Sequence, residues 1–224
     1  MDDQTSSTSK LRVIALDGPG GSGKSTVAKL VANETGLPYL DTGAMYRAIT
    51  FGVLQRQINP SDWTAINDVL PTMELDLTGA TVVVDGVDAT TAIRGNEVTN
   101  NVSAVSANPQ VRVALVRLQR EWIDKSGGGV LEGRDIGTVV VPTAALKVFV
   151  TASTRERARR RALESGADID EVEADLIRRD TADSERSDSP LRPAVDAVTI
   201  DTTNHEIPEV VAMVVAMAKE RGLL

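Results

Sequence analysis

Residues 18–25 read Gly-Pro-Gly-Gly-Ser-Gly-Lys-Ser, a glycine-rich string that closes on a lysine and a hydroxyl. Glycines let a backbone turn tightly, so several N–H groups can aim at one point, and a helix start behind them adds its positive dipole end. A chain of phosphates suits that cradle. Lys24 would bridge the β- and γ-phosphates and the Ser25 hydroxyl would help hold Mg²⁺, with Gly18, Pro19, Gly20, Gly21, Ser22, Gly23 and Thr26 completing the loop. The flanks agree: Val13-Ile14-Ala15-Leu16 reads as a buried strand, and residues 26–33 read as a helix. The pattern implies binding of ATP or GTP.

Three further segments carry charge that could meet a second anion. Leu40-Asp41-Thr42-Gly43-Ala44-Met45-Tyr46-Arg47 falls at the carboxyl edge of a short strand, where open α/β sheets bind ligands. Asp41 or Thr42 could equally be a helix cap there, and Arg47 a solvated side chain. Leu131-Glu132-Gly133-Arg134-Asp135-Ile136-Gly137-Thr138 follows another strand. Its glycines allow close approach, Asp135 could accept from the exocyclic amine of cytosine, and Arg134 could pair with a phosphate or a ring acceptor. The third segment is Arg155-Glu-Arg157-Ala-Arg159-Arg160-Arg161, with Arg178, Arg179, Arg186 and Arg192 beyond it. Arg157 and Arg161 share a helix face and repel unless an anion lies between them. Arg178 and Arg179 would also suit a helix C-terminus. Phosphoryl transfer needs always-ionised donors around the charge that develops on the moving group, and arginine supplies them. His205, at an expected helix start, reads as a surface or capping residue, and Trp63 and Trp122 read as packing residues and not base-stacking platforms.

The elements that must position these groups alternate. Residues 37–41 read as a second strand and 42–57 as a helix with Met45, Ile49 and Val53 on one stripe. Residues 73–78 and 81–84, followed by Asp85-Gly86, read as the start of three short antiparallel strands. Residues 111–123 return to helical spacing. Residues 130–131 and 146–151 read as buried strands, 154–164 and 170–179 as polar helices, 197–201 as a last strand and 206–221 as a closing helix. Strand-helix alternation predicts a parallel sheet covered on both faces.

Composition narrows the classes. The 224 residues suffice for one substantial core with a smaller appendage. A formal charge of −8 argues against a broad basic face for nucleic acid or an anionic membrane. There is no cysteine, hence no disulfide framework, thiolate metal site or thiol nucleophile, which fits a cytoplasmic setting. The longest apolar run falls far short of the ~20 residues that span a bilayer. Residues 1–10 read as a disordered tail. No Asn-Lys-x-Asp guanine-reading motif occurs, which disfavours a GTPase switch, and the chain is short for a motor.

Together these segments resemble the bacterial cytidylate (CMP/dCMP) kinases of the nucleoside monophosphate kinase group, from about residue 13 to the end. Residues 40–47, 102–112, 132–142 and 178–186 carry the resemblance most specifically. It implies an α/β, three-layer P-loop NTPase fold with a central parallel five-stranded sheet. A small antiparallel β insertion at 62–106 would bind the acceptor, and 154–184 would form a helical lid within a kinase domain of 11–224. In that family, residues matching Ser103, Arg112, Arg134 and Asp135 contact the cytosine and phosphate of the acceptor. Those matching Thr42 and Arg47 grip the acceptor nucleotide, and those matching Arg179 and Asp183 hold its ribose. The residue matching Arg186 serves the phosphate site. Lys24, Arg134, Arg157, Arg161, Arg179 and Arg186 are then expected to be catalytic, and Ser25 to be the metal ligand. The implied co-substrate is ATP with Mg²⁺, the substrates CMP and dCMP, and the state a monomer without nucleic-acid or membrane partners. Thr42 stands where many members have Ser, Glu132 where many have Asp, and Ala182 where some have a basic residue. Other acceptors (UMP, AMP, a shikimate-like metabolite) and a regulatory module that uses ATP remain the alternatives.

Overall fold

The computed structural model describes residues 11–77 and 81–224. The expected tail at 1–10 and Thr78 of the first expected hairpin strand lie outside them. In chain order the first half comprises β1 (Leu11–Asp17), α1 (Lys24–Thr35), β2 (Tyr39–Asp41), α2 (Thr42–Gln55), α3 (Trp63–Val69), β3 (Leu75–Asp76), β4 (Val83–Val84), β5 (Val87–Asp88) and α4 (Asn96–Ser106). The second half comprises α5 (Pro109–Ser126), β6 (Gly129–Gly133), β7 (Ala144–Thr151), α6 (Thr154–Ser165), α7 (Ile169–Ser184), β8 (Val198–Asp201) and α8 (Ile207–Glu220).

A five-stranded sheet runs in the order β2-β6-β1-β7-β8, with every pairing parallel. β1 lies at its centre and alternates between faces. Ile14 and Leu16 pack with Val27 and Val31 of α1 and Val210 and Val214 of α8. Val13 and Ala15 pack with Met45 and Ile49 of α2 and Val111 and Leu115 of α5. The fold is thus helix, sheet, helix in three layers, because every central strand is apolar on both sides. Each such Leu or Ile contributes roughly 1.5–3 kcal/mol when buried.

Between α2 and α5 the chain leaves this frame. β3, β4 and β5 form a small antiparallel sheet, and β4 turns into β5 across Asp85 and Gly86, whose φ angles of 50° and 77° match a primed hairpin turn. Two helices accompany it that the sequence reading did not anticipate. α3 is capped by Asp62, which accepts from Ala65 N–H at 3.1 Å. α4 buries Val98, Val102 and Val105. Farther on, α6 and α7 pack on each other through Ala158, Ala162, Val172 and Leu176. α7 runs on to Ser184, so Arg178 and Arg179 lie inside it and not in its last turn, as the sequence had suggested. Among the described residues, no helix is long and apolar enough to cross a membrane.

Candidate active site

A cavity of about 890 Å³ opens at the carboxyl ends of β1, β2 and β6. It runs from the glycine-rich loop, between α4 and the α6–α7 pair, to the segment before α8. It collects every expected site residue except Gly18, Pro19, Ser22 and Arg157. The first three serve through backbone oxygens: Gly18 accepts from Arg134 Nη1 at 2.7 Å, Pro19 from Lys24 Nζ at 3.5 Å and Ser22 from Thr202 Oγ1 at 3.1 Å.

The loop owes its shape to sterics. Gly18 has φ 151°, and a Cβ there would sit 2.0 Å from the Val150 carbonyl oxygen. Gly23, at φ 83°, turns the chain into α1 so that helical N–H groups face the cavity. Lys24 is buried beside them. Burial, and then the nearby Arg134 guanidinium, push its ammonium down to about 8. A bound phosphate would reverse that shift by supplying the missing counter-charge.

Glu132 faces this loop from the end of β6. Ser25 donates its hydroxyl hydrogen to Glu132 Oε2 at 2.6 Å, and the Tyr39 hydroxyl donates to Oε1. With its proton so occupied, Ser25 keeps its lone pairs for a cation. Among the described residues no cluster of three or more acidic or histidine side chains could cage a metal. One hydroxyl with one carboxylate behind it suits Mg²⁺, which retains water and phosphate ligands. The sequence alone left Glu132 without a role, because 107 residues separate it from Ser25.

At the end of β2, Asp41 caps α2 by accepting from Ala44 N–H at 2.9 Å, and Thr42 donates to the Glu132 carbonyl at 2.6 Å. Arg47 reaches outward from α2 to the Ile93 carbonyl (2.9 Å) and Thr99 Oγ1 (2.8 Å). Arg112 and Asp135 form a buried ion pair, and the Tyr46 ring lies 5.5 Å from the Arg112 guanidinium. Arg112 also donates to the Ser106 carbonyl at 3.3 Å. Asp183 accepts from Arg134 Nε at 2.8 Å and from Arg186, which in turn donates to Ser106 Oγ at 3.1 Å. Burial opposes ionisation of Asp183, yet Arg134, Arg186 and Arg179 together hold its carboxyl below the usual range.

Asp17, at the end of β1, accepts from the N–H groups of Ile136 and Gly137, both at 2.7 Å. Burial lifts it to about 6. Its two bonds pin the turn that carries Arg134 and Asp135 to the strand that carries the glycine loop. Neither Asp17 nor Tyr39 carried a motif signal, since both contacts form only once distant strands become neighbours.

The arginine-rich helix sorts its residues sharply. Arg155 and Arg159 pair with acids on the exterior. Arg157 is buried, bonds the carbonyls of Ala152 (3.0 Å) and Gly20 (3.1 Å), and pairs with Asp180 at 2.6 Å. It braces the glycine loop from behind and does not line the cavity, although it was expected to be catalytic beside Arg161. Arg161 does line the cavity, as does Arg179, whose guanidinium is pushed down to about 10 by burial and by Arg134 and Arg161. Arg178 and Arg192 are exposed, and so is Ala182. His205 is exposed on the rim, 3.2 Å from Glu209, in accord with a surface role. Trp122, in α5, packs on the core, whereas Trp63 is exposed and not the packing residue it was expected to be.

The family model for cytidylate kinase matches residues 14–220. A cytidylate kinase of Streptococcus sanguinis is 50% identical over 217 residues, which cover 92% of this chain and 96% of that protein. One from Streptomyces avermitilis is 46% identical over 215 residues, 93% of each chain. Among solved structures, a gluconokinase of Sinorhizobium meliloti aligns with a TM-score of 0.51 at 15% identity, covering 95% of both chains, which shows a shared fold alone. The chain belongs to the cytidylate kinase family.

Proposed function

We propose that this chain moves the γ-phosphate of ATP to CMP or dCMP, giving ADP and CDP or dCDP. The observation that carries the reading is one continuous cavity lined by the glycine loop, by the buried Arg112–Asp135 pair, and by Arg47, Arg161 and Arg179.

The chemistry needs no covalent enzyme intermediate. An oxygen of the acceptor phosphate attacks the γ-phosphorus, and the bridging oxygen leaves on ADP. Two negatively charged tails must therefore be aligned and their repulsion offset. Lys24 and the loop amides hold the donor phosphates. Mg²⁺, at Ser25 with Glu132 behind it, would supply further positive charge at the donor. Arg47 and Thr42 take the acceptor phosphate, Arg134 and Arg186 flank it, and Asp183 and Arg179 take the ribose. Asp135, Arg112 and Ser103 read the cytosine edge. A base that leaves this buried pair unmatched is rejected, a penalty that can reach factors of ~10⁴. Residues 154–184 act as a lid bringing Arg161 inward and excluding water, which would otherwise take the phosphoryl group. Residues 62–106 act as the acceptor-side arm. The chain works on small nucleotides, as a monomer in the cytoplasm, without nucleic acid or membrane.

The test is ADP release with MgATP and CMP, dCMP, UMP or AMP side by side. CMP and dCMP should be preferred. Preference for UMP or AMP, or hydrolysis of ATP that no nucleotide acceptor stimulates, would overturn the reading.

A further inference from the structure

We propose that Thr202 is a positioning residue for the donor phosphates: its buried hydroxyl holds the Ser22 carbonyl and so keeps the Gly23 N–H of the glycine loop aimed into the cavity. The proposal deepens the functional reading above and rests on its placement of the donor on that loop.

A loop that binds phosphate through its amides must fix which way each peptide unit faces. The unit is planar and trans, so the Ser22 carbonyl and the Gly23 N–H point in opposite directions, and whatever grips one aims the other. Gly23 lines the cavity, and neither Ser22 nor Thr202 does. Both of those are fully buried, and Thr202 follows directly on β8. Its hydroxyl lies 3.1 Å from the carbonyl oxygens of Ser22 and Thr151 but carries a single proton. The Thr151 carbonyl already accepts the Thr202 N–H at 2.8 Å, whereas that of Ser22 has no other donor among the described residues. The proton therefore goes to Ser22. Gly23, at φ 83°, has no side chain to bias its orientation, so the grip from outside selects one.

The grip is itself held. Arg160 donates from Nη1 to the Thr202 hydroxyl at 3.0 Å and from Nη2 to the Thr202 carbonyl at 2.7 Å. A hydroxyl that accepts from a guanidinium donates more strongly in its turn. Arg160 Nε is fixed at 2.8 Å by Glu156, one turn earlier on α6. Glu156, Arg160 and Thr202 thus form a chain that ends on one peptide of the loop. Arg157 acts alike on the Gly20 carbonyl, at 3.1 Å, whose peptide unit carries the Gly21 N–H. Among the described residues neither the Gly21 nor the Gly23 N–H is spent on a protein acceptor. Both are left for ligand oxygens, and bonds to an ionised acceptor are the stronger kind. Thr202 itself touches no ligand; it acts through Gly23.

The experiment compares MgATP, its base-free counterpart magnesium tripolyphosphate, and CMP by calorimetry on the full chain. Thr202→Val keeps the branched shape and removes the hydroxyl. Both polyphosphates should bind about three- to tenfold more weakly, KM for ATP should rise in parallel, and CMP binding should stay as in the wild type. Thr202→Ser should restore both affinities. Should Thr202→Val fail to fold, Thr202→Cys repeats the test with a weak donor in place of the hydroxyl. Unchanged tripolyphosphate binding would reduce the hydroxyl to packing. A loss of CMP affinity equal to that of ATP, or a Thr202→Ser protein no better than Thr202→Val, would make it a general brace. Each of these results overturns the proposal while the kinase reading stands. A wild-type protein that binds neither ATP nor tripolyphosphate overturns both.

Discussion

The arginines that line the cavity fall into two sets that live under opposite rules. Arg112, Arg134 and Arg186 are each locked to a carboxylate, Asp135 for the first and Asp183 for the other two. Arg47, Arg161 and Arg179 have none among the described residues, and two of them are held below the ordinary arginine range by burial and mutual repulsion. The paired set has its carboxylates in place before any ligand arrives, and those pairs fix its geometry. Burial still pushes Arg186 down, and Arg112 Nε finds no hydrogen-bond partner among the described residues. The unpaired set is uncomfortable until an anion enters, and on the proposed reading its stabilising power is held for charge gathered at the point of transfer.

That contrast can be broken at several points. The largest effect on stability should come from Arg112→Ala, which leaves Asp135 buried without its partner and should cost about 3–5 kcal/mol in urea unfolding. Adding Asp135→Asn should recover much of the loss. Arg161→Ala should do the reverse: kcat falls by about 10²–10³, while the melting temperature holds or rises slightly as repulsion is relieved. If both single variants lose stability alike, the division between the two sets fails.

Lys24 sharpens the same point at the glycine loop. Its ammonium stands at about 8 in the free protein, and only the charged form pairs with phosphate. Above pH 8 binding must first take up a proton, so ATP affinity should fall by up to about tenfold per pH unit; calorimetry between pH 7 and pH 9.5 or so would show it. A flat profile would mean that the loop amides carry the donor alone. The smallest expected effect is Tyr39→Phe, which removes one hydrogen bond to Glu132 and should cost about 1 kcal/mol. The Mg²⁺ concentration for half-maximal rate should rise while KM for CMP stays put.

Much of this architecture was legible along the chain. The strand, glycine loop and helix from β1 to α1 stand in the order the residues imply, and Asp85-Gly86 turns the hairpin as its chemistry demands. α4 escaped because Thr99, Asn100, Asn101, Ser103 and Ser106 are weak helix formers, although Val98, Val102 and Val105 keep helical spacing. β6 also extends further than its apolar core, taking Glu132 and Gly133 into the sheet. Arg157 and Arg161, identical in type and one turn apart, could not be told apart before α7 was seen to place Asp180 beside only the first. What linear spacing cannot carry is which of several like charges acquires a partner from elsewhere.

Asp17 has a consequence for how the molecule can move. Because one carboxylate grips the backbone behind Arg134 and Asp135 while sitting at the root of the glycine loop, the two cannot drift apart without snapping both of its bonds. On the proposed reading, that shared anchor makes the floor of the cleft a common origin from which both nucleotides are measured. The travel needed for entry and exit then falls to the helical arms above it, which must pivot on or release the Arg157 bond to Gly20 and the Arg134–Asp183 pair that tie α6 and α7 to that floor.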